Sequence, residues 1–219
     1  MTQFSGRLQY DIDRFRERVL TDPAGVLDPE GVIHHEFVSR NHGRKLDFDK
    51  ILEGTDFYID WVSIYARAVL ALYPKRRPDA LVGIANGANR LSRDVAKLLG
   101  GHVLGLTTEK IDDGLVRLDS KALAAIEEYD IKFALTIEDV ATTGGTASMV
   151  VSDLRRVGVR RVESVNFWQR NLTLQKLDEE NIYHRAVILD PLPMYSPEEC
   201  ETLPDAYCAN GVALVPHGK

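Results

Sequence analysis

The chain has 219 residues, 44% hydrophobic and 27% charged, and its 33 acidic and 27 basic residues leave a net charge of −6. That make-up belongs to a folded globular chain and excludes disordered and low-complexity classes, while the acidic balance argues against nucleic-acid or anionic-membrane partners. Nothing approaches the ~20 consecutive apolar residues of a membrane span, the first residues lack the basic-then-apolar order of a signal peptide, and two cysteines are too few for a disulfide framework, so a cytoplasmic protein is expected.

Residues 7–20 place Leu8, Ile12, Phe15 and Val19 at helical spacing, ahead of a breaker cluster that starts at Thr21. Two short extended pieces are expected at 32–38 and 45–52, joined by a polar turn over 39–43. A helix follows from Thr55 to about Tyr73 on Phe57, Trp61, Ile64, Tyr65, Ala68 and Leu72, closed by Pro74 and Pro78. From residue 80 short apolar strands alternate with helices of about ten residues. Strands are expected at 80–85, 102–107, 132–137 and 161–168. Helices are expected at 90–99, around Leu123 to Tyr129, and at 146–157, and a last helix and strand cover 171–189. Residues 86–89 read as a turn and 108–118 as a polar stretch. This alternation predicts an open, mostly parallel α/β sheet with helices on both faces. The first 50 or so residues stand outside it as a small hood. The expected division is 1–53 for the N-terminal helix and hood, 54–190 for the α/β core, and 191–219 for an extended tail packing on the core. Ser196, Pro197, Glu198 and Glu199 suit the start of a short helix, and residues 207–215 a small hairpin or latch.

The chemistry concentrates in residues 133–147. An apolar strand delivers two consecutive carboxylates, Glu138 and Asp139, to the carboxyl end of the sheet, where open α/β folds bind ligands. Thr142, Thr143, Gly144, Gly145 and Thr146 follow and lead into a helix. Glycines let backbone N–H groups turn toward an anion, threonines add hydroxyl donors, and the helix adds its positive N-terminus. The acidic pair suits sugar hydroxyls, which donate to carboxylates. Phosphate beside vicinal hydroxyls describes a ribose 5-phosphate. A plain strand-to-helix turn is the bland alternative, and the ordered strand, acids and helix outweigh it. Neither a P-loop nor a dinucleotide-binding glycine turn nor a nucleophile elbow is present. Cys200, Cys208 and His217 offer no close pair for zinc, and neither do His34 and His35, so no protein-held metal is expected.

Residues 137–146 resemble the phosphoribosyl-pyrophosphate (PRPP) motif of type I phosphoribosyltransferases, and within that family the orotate enzymes. Residues 36–48 are similar to their hood segment, with Arg40 where a substrate-contacting lysine stands, and residues 82–88 resemble their pyrophosphate loop. The resemblance implies a type I phosphoribosyltransferase fold. It implies transfer of the ribose 5-phosphate of PRPP onto orotate or a related nucleobase, with release of pyrophosphate and with Mg2+ held mainly through PRPP. PRPP would be bound by Asn86, Gly87, Glu138, Asp139, Val140, Ala141, Thr142, Thr143, Gly144, Gly145 and Thr146, and the base by Arg40, Thr142 and Arg170. Glu138, Asp139 and Lys110, the last as the loop cation over pyrophosphate, would be catalytic, in a homodimer serving pyrimidine biosynthesis. The loop 106–117 departs from the family's basic cluster: Lys110 and Arg117 stand among Glu109, Asp112 and Asp113. The alternative is therefore a catalytically weak PRPP- or nucleotide-binding regulator on the same fold. Residues 1–177 hold 25 acids and 25 bases, so the whole net charge lies in 178–219, away from the candidate site segment.

Overall fold

The structure is a computed structural model that describes residues 4–21, 33–37, 40–52, 55–111 and 115–216. The chain begins with α1 (Gly6–Thr21), β1 (Ile33–Glu36), β2 (His42–Gly43), α2 (Asp49–Leu52) and α3 (Thr55–Leu72). It continues through β3 (Ala80–Gly83), α4 (Ala85–Leu99), β4 (Leu104–Leu106), β5 (Thr108–Lys110), β6 (Val116–Leu118), α5 (Ser120–Glu128) and β7 (Phe133–Ala141). It ends with α6 (Gly145–Arg156), β8 (Arg161–Gln169), α7 (Gln175–Glu179), β9 (His184–Leu189), β10 (Met194–Tyr195), α8 (Pro197–Thr202) and β11 (Ala213–Val215).

The central sheet runs β4-β3-β7-β8-β9 and every pairing in it is parallel. Its strands are near-continuous apolar runs because helices cover both faces. Along β7, Phe133, Leu135 and Ile137 enter one apolar cluster with α1, α3 and α4, and Ala134 enters the other with α5 and α6. The first cluster is aromatic. Trp61 and Phe167 meet edge to face at 5.7 Å, and Phe48 lies 4.8 Å from Trp61. Tyr65, fully buried, donates its hydroxyl to the Val165 carbonyl and lies 3.4 Å from the Glu138 carbonyl, which ties α3 to the strand carrying the acidic pair.

A second, four-stranded sheet runs β10-β2-β1-β11. It joins the N-terminal hood to the C-terminal segment: β1 pairs with β11 in parallel, and β2 lies antiparallel to β1 and β10. The tail's strands therefore complete the hood rather than lying on the α/β sheet. β5 and β6 pair antiparallel, and residues 112–114 between them lie outside the described residues.

Local differences from the sequence expectations have physical causes. The polar turn at 39–43 ends in β2, because strands on both sides offer His42 and Gly43 partners. Residues 49–52 are a helical turn, not a strand; Phe48 and Ile51, three apart, are both buried. Residues 86–89 form the first turn of α4, because Ala85 takes a left-handed φ of 58° and starts the helix at once. On α5 the buried face is Ala122 and Ile126, while Leu123 and Tyr129 are exposed.

Candidate functional site

The order of the parallel sheet fixes where a ligand can sit. From β3 the chain crosses to β4 on one side and then back to β7 on the other, so the connections diverge between β3 and β7. That divergence opens a crevice at the carboxyl ends of the two strands. β3 ends at Gly83, opposite Ile137, while β7 runs on through Glu138, Asp139, Val140 and Ala141. The acidic pair thus projects at the edge of this crevice.

Two helices start beside it, α4 after β3 and α6 after β7. Neither N-cap residue supplies a side-chain cap, since that of α4 is Ile84 and that of α6 is Gly144. The first amides are nonetheless taken, Ala85 donating to Thr108 Oγ1 at 2.9 Å and Gly145 to Thr143 Oγ1 at 3.5 Å, so it is the later N–H groups of each first turn that stay open. Asp119 caps α5 and a Ser196–Glu199 capping box opens α8, whereas α7, with Leu174 as its N-cap, also lacks a side-chain cap. An uncapped first turn keeps N–H groups available to an anion. The loop before α6 has its carbonyls tied back. Ala141 accepts from the Arg170 amide at 3.0 Å, Thr142 from Asn171 Nδ2 at 2.7 Å, and Thr143 from the Lys176 amide at 3.0 Å. Gly144 turns the chain with φ 77°, and a Cβ there would lie 2.7 Å from Leu177 Cγ. The loop is thus held against α7 with an uncapped helix behind it. Thr142, Gly145 and Thr146 are half-buried and Thr143 is exposed.

The carboxylates are under strain of charge. Burial, with Asp139 beside it, pushes Glu138 up to about 8, and its Oε2 is buried without a hydrogen-bond partner. Burial also raises Asp139 to about 6; backbone N–H groups oppose the rise, and Asp49 and Asp47 add to it. A Cβ on Gly87, in the first turn of α4, would stand 3.2 Å from Asp139 Oδ2 and 3.2 Å from Asp49 Oδ1. Acids from β7 and from the α2 region therefore face one another across the start of α4. Sequence reasoning missed Asp47 and Asp49, although a signal exists: Leu46 and Phe48 are buried and the two acids alternate with them.

Arg170 follows β8 and is only 2% exposed. Its guanidinium lies 4.7 Å from the centre of the Phe37 ring, and Nε and Nη2 are buried without partners. Burial lowers its pKa to about 10, so it stays charged at neutral pH. Arg44, after β2, likewise has Nε and Nη2 buried without partners, and both arginines act electrostatically on Tyr207 in the tail. Arg44 was not among the residues singled out by sequence; the burial of its unpartnered nitrogens is a tertiary property.

The other sequence candidates lie as follows. Arg40 is exposed, with φ 65°, and pairs with Glu36 at 3.0 Å. Lys110 is exposed on β5 opposite Val116, and Arg117 is bound to Asp153 at 2.9 Å. Asn86 lies in the first turn of α4. Of the sulfur and imidazole groups set aside as metal ligands, His217 lies outside the described residues, but Cys200 and Cys208 meet His34 and His42. No helix among the described residues is long and apolar enough to cross a membrane.

Residues 48–188 match the family described as the phosphoribosyl transferase domain. No curated protein sequence is detectably similar to the chain. Among solved structures the fold is similar to a phosphoribosyltransferase from Corynebacterium diphtheriae, at 14% identity and TM-score 0.56, over 82% of this chain and 95% of that one. It is similar to Mycobacterium tuberculosis orotate phosphoribosyltransferase in complex with PRPP, at 17% identity and TM-score 0.54, over 81% and 95%. It is also similar to Saccharomyces cerevisiae adenine phosphoribosyltransferase, at 14% identity and TM-score 0.52, over 66% and 86%. At such identities the likeness is one of fold.

Proposed function

Because the chain belongs to the phosphoribosyl transferase family, we propose that it moves the ribose 5-phosphate of PRPP onto an anionic nucleobase of the orotate kind, releasing pyrophosphate. The observation that carries the choice of base is Arg170, a buried guanidinium with two nitrogens unpartnered. A buried unpaired charge is costly, and a planar carboxylate or imide of a base offers the fork geometry that relieves it. Arg44 supplies a second unpartnered guanidinium with the same preference.

The 5-phosphate is assigned to the uncapped turn over Thr142–Thr146, and the ribose hydroxyls to Glu138 and Asp139. Val140 and Ala141 shape the strand end between them. Pyrophosphate is assigned to the first turn of α4 at Asn86 and Gly87, with Lys110 as the loop cation. The acids facing Gly87 would repel pyrophosphate alone. Hard oxygen donors of this kind fit Mg2+, held mainly by PRPP, which neutralises the leaving group when bound.

In the reaction a ring nitrogen of the base bonds to C1 of the ribose while the C1–O bond to pyrophosphate breaks; the departing oxygen keeps the bonding pair and the ring N–H proton is released to solvent. Positive charge develops on the ribose, so the protein needs no nucleophile. Positioning and electrostatics suffice. Glu138 and Asp139, ionised on accepting the hydroxyls, lie where that charge develops, and Arg170 and Arg40 orient the base together with Thr142.

A PRPP-binding regulator on the same fold is the second reading, favoured by one observation: Arg117 is engaged by Asp153, which leaves Lys110 to stand beside Glu109. Pyrophosphate release with PRPP, Mg2+ and a panel of bases separates the two. Turnover with orotate and none with adenine supports the enzyme with an anionic base. Tight PRPP binding without turnover of any base establishes the regulator. A homodimer in the cytoplasm remains part of this proposal, tested by sedimentation of the intact chain.

A further inference from the structure

We propose that the hood carries a structural zinc site formed by His34, His42, Cys200 and Cys208. His34 lies on β1 and His42 on β2, while Cys200 lies on α8 and Cys208 on the segment leading to β11. The four donor atoms lie within 4.8 Å of one another. Cys208 Sγ is 3.3 Å from His34 Nε2 and 3.4 Å from His42 Nδ1, and Cys200 Sγ is 3.8 Å from His34 Nε2. Zinc binds sulfur at about 2.3 Å and imidazole nitrogen at about 2.0–2.1 Å, which puts a tetrahedral sulfur–nitrogen edge at about 3.6 Å. The three separations bracket that value.

Hydrogen bonding alone explains the cluster poorly. A thiol has one proton to donate, yet Cys208 Sγ faces ring nitrogens of two histidines, and His34 Nε2 faces both sulfurs. Four donors turned toward one point suit a single cation. Two thiolates and two imidazoles select zinc over magnesium or calcium, whose ligands are oxygens. Four protein ligands, three of them buried, leave no open position for a substrate, so the site is structural rather than catalytic. The Cys208 amide also points at Cys200 Sγ at 3.2 Å, which fixes the separation of the two cysteines.

The site staples segments far apart in sequence. It fixes the β1–β11 pairing from both ends and sets Tyr207, whose ring stacks on His34 at 5.2 Å, beside Arg44 and Arg170. The zinc thus shapes the wall of the base pocket without touching the base. Whether the chain turns over orotate has no bearing on the inference.

The test is elemental analysis of the full-length chain purified from zinc-supplemented medium, with cobalt replacement as a second readout. About one zinc per chain, and a Co2+ form with the intense visible bands of a tetrahedral site and sulfur-to-cobalt charge transfer, are expected. Cys208→Ser should lose zinc to a chelator more than about tenfold faster. If that variant does not fold, the metal content and cobalt spectrum of the unaltered protein still decide. Metal well below stoichiometry with both thiols open to a thiol reagent overturns the proposal, as does a Cys200–Cys208 disulfide in the native protein.

Discussion

Glu138→Gln should stabilise the ligand-free protein, and by an amount that grows with pH. In the folded state Glu138 holds its proton up to about pH 8, whereas an ordinary glutamic acid releases it near 4.5. Between those values the folded chain binds more protons than the unfolded one, so stability falls as pH rises through the window. For this shift alone the loss is at most about 4 kcal/mol at pH 7.5 and under about 1 kcal/mol at pH 5. Only Oε2 is sealed from water, and the side chain as a whole is half-buried. Solvent therefore relieves part of the penalty, and a gain of about 1–2 kcal/mol at pH 7.5 is expected. Glutamine keeps the shape and removes the titration. Urea unfolding of both proteins, without ligand, at several pH values from 5 to 8 measures the difference. The absolute offset includes the new amide's own hydrogen bonding, so the slope carries the test. A difference that stays flat across the range would refute the claim that the free protein holds an uncompensated carboxyl here.

Arg170→Met should leave the free protein as stable as before or more so, because an apolar side chain replaces a buried charge whose Nε and Nη2 have no hydrogen-bond partner. The same change should raise KM for an anionic base by roughly 10–100-fold, the worth of a charge-assisted hydrogen bond of about 1.5–3 kcal/mol; an unchanged KM would remove Arg170 from the site. Gly144→Ala should destabilise by about 1–3 kcal/mol, since φ is 77° and the new methyl would press on Leu177. Steady-state kinetics of that variant should show a raised KM for PRPP with the base KM little changed.

The parts of the molecule that were legible in sequence are those built from neighbours in sequence. The run from Phe133 to Ala147 announces strand, acids, turn and helix because all four lie within one continuous stretch, and the strand expected at 132–137 begins one residue before β7 and stops short of Glu138. Periodicity reads α1 and α3 because each buries one clear face. What stayed hidden depends on distance along the chain. His34 and Cys200 are 166 positions apart, so no local spacing brings them together. The lack of a partner at Arg44 and Arg170 is a property of the space around them. β2 is a two-residue strand that exists because β1 and β10 flank it. Ala85 begins a helix in a left-handed conformation, against its propensity, because the chain must turn sharply at the end of β3.

The charge distribution in the fold explains how an acidic chain can serve a polyanionic ligand. The acids of the C-terminal segment are used locally. Asp190 binds Arg16 at 2.7 Å, Asp178 meets His184 at 2.9 Å, and Glu198 and Glu199 occupy the first turn of α8, where they complement the helix dipole. At the crevice the donors facing an anion come mainly from two uncapped helix starts rather than from a cluster of lysines, while the nearby side chains are carboxylates. Backbone dipoles bind phosphate without adding full charges, so on the proposed assignment they would leave the Glu138 and Asp139 side chains free to accept from sugar hydroxyls. Two guanidiniums with unpartnered nitrogens, Arg44 and Arg170, both act on Tyr207 of the tail. On the proposed assignment, separating dipoles, carboxylates and guanidiniums in this way would let the protein distinguish phosphate, hydroxyl and anionic ring, each by a different kind of donor or acceptor.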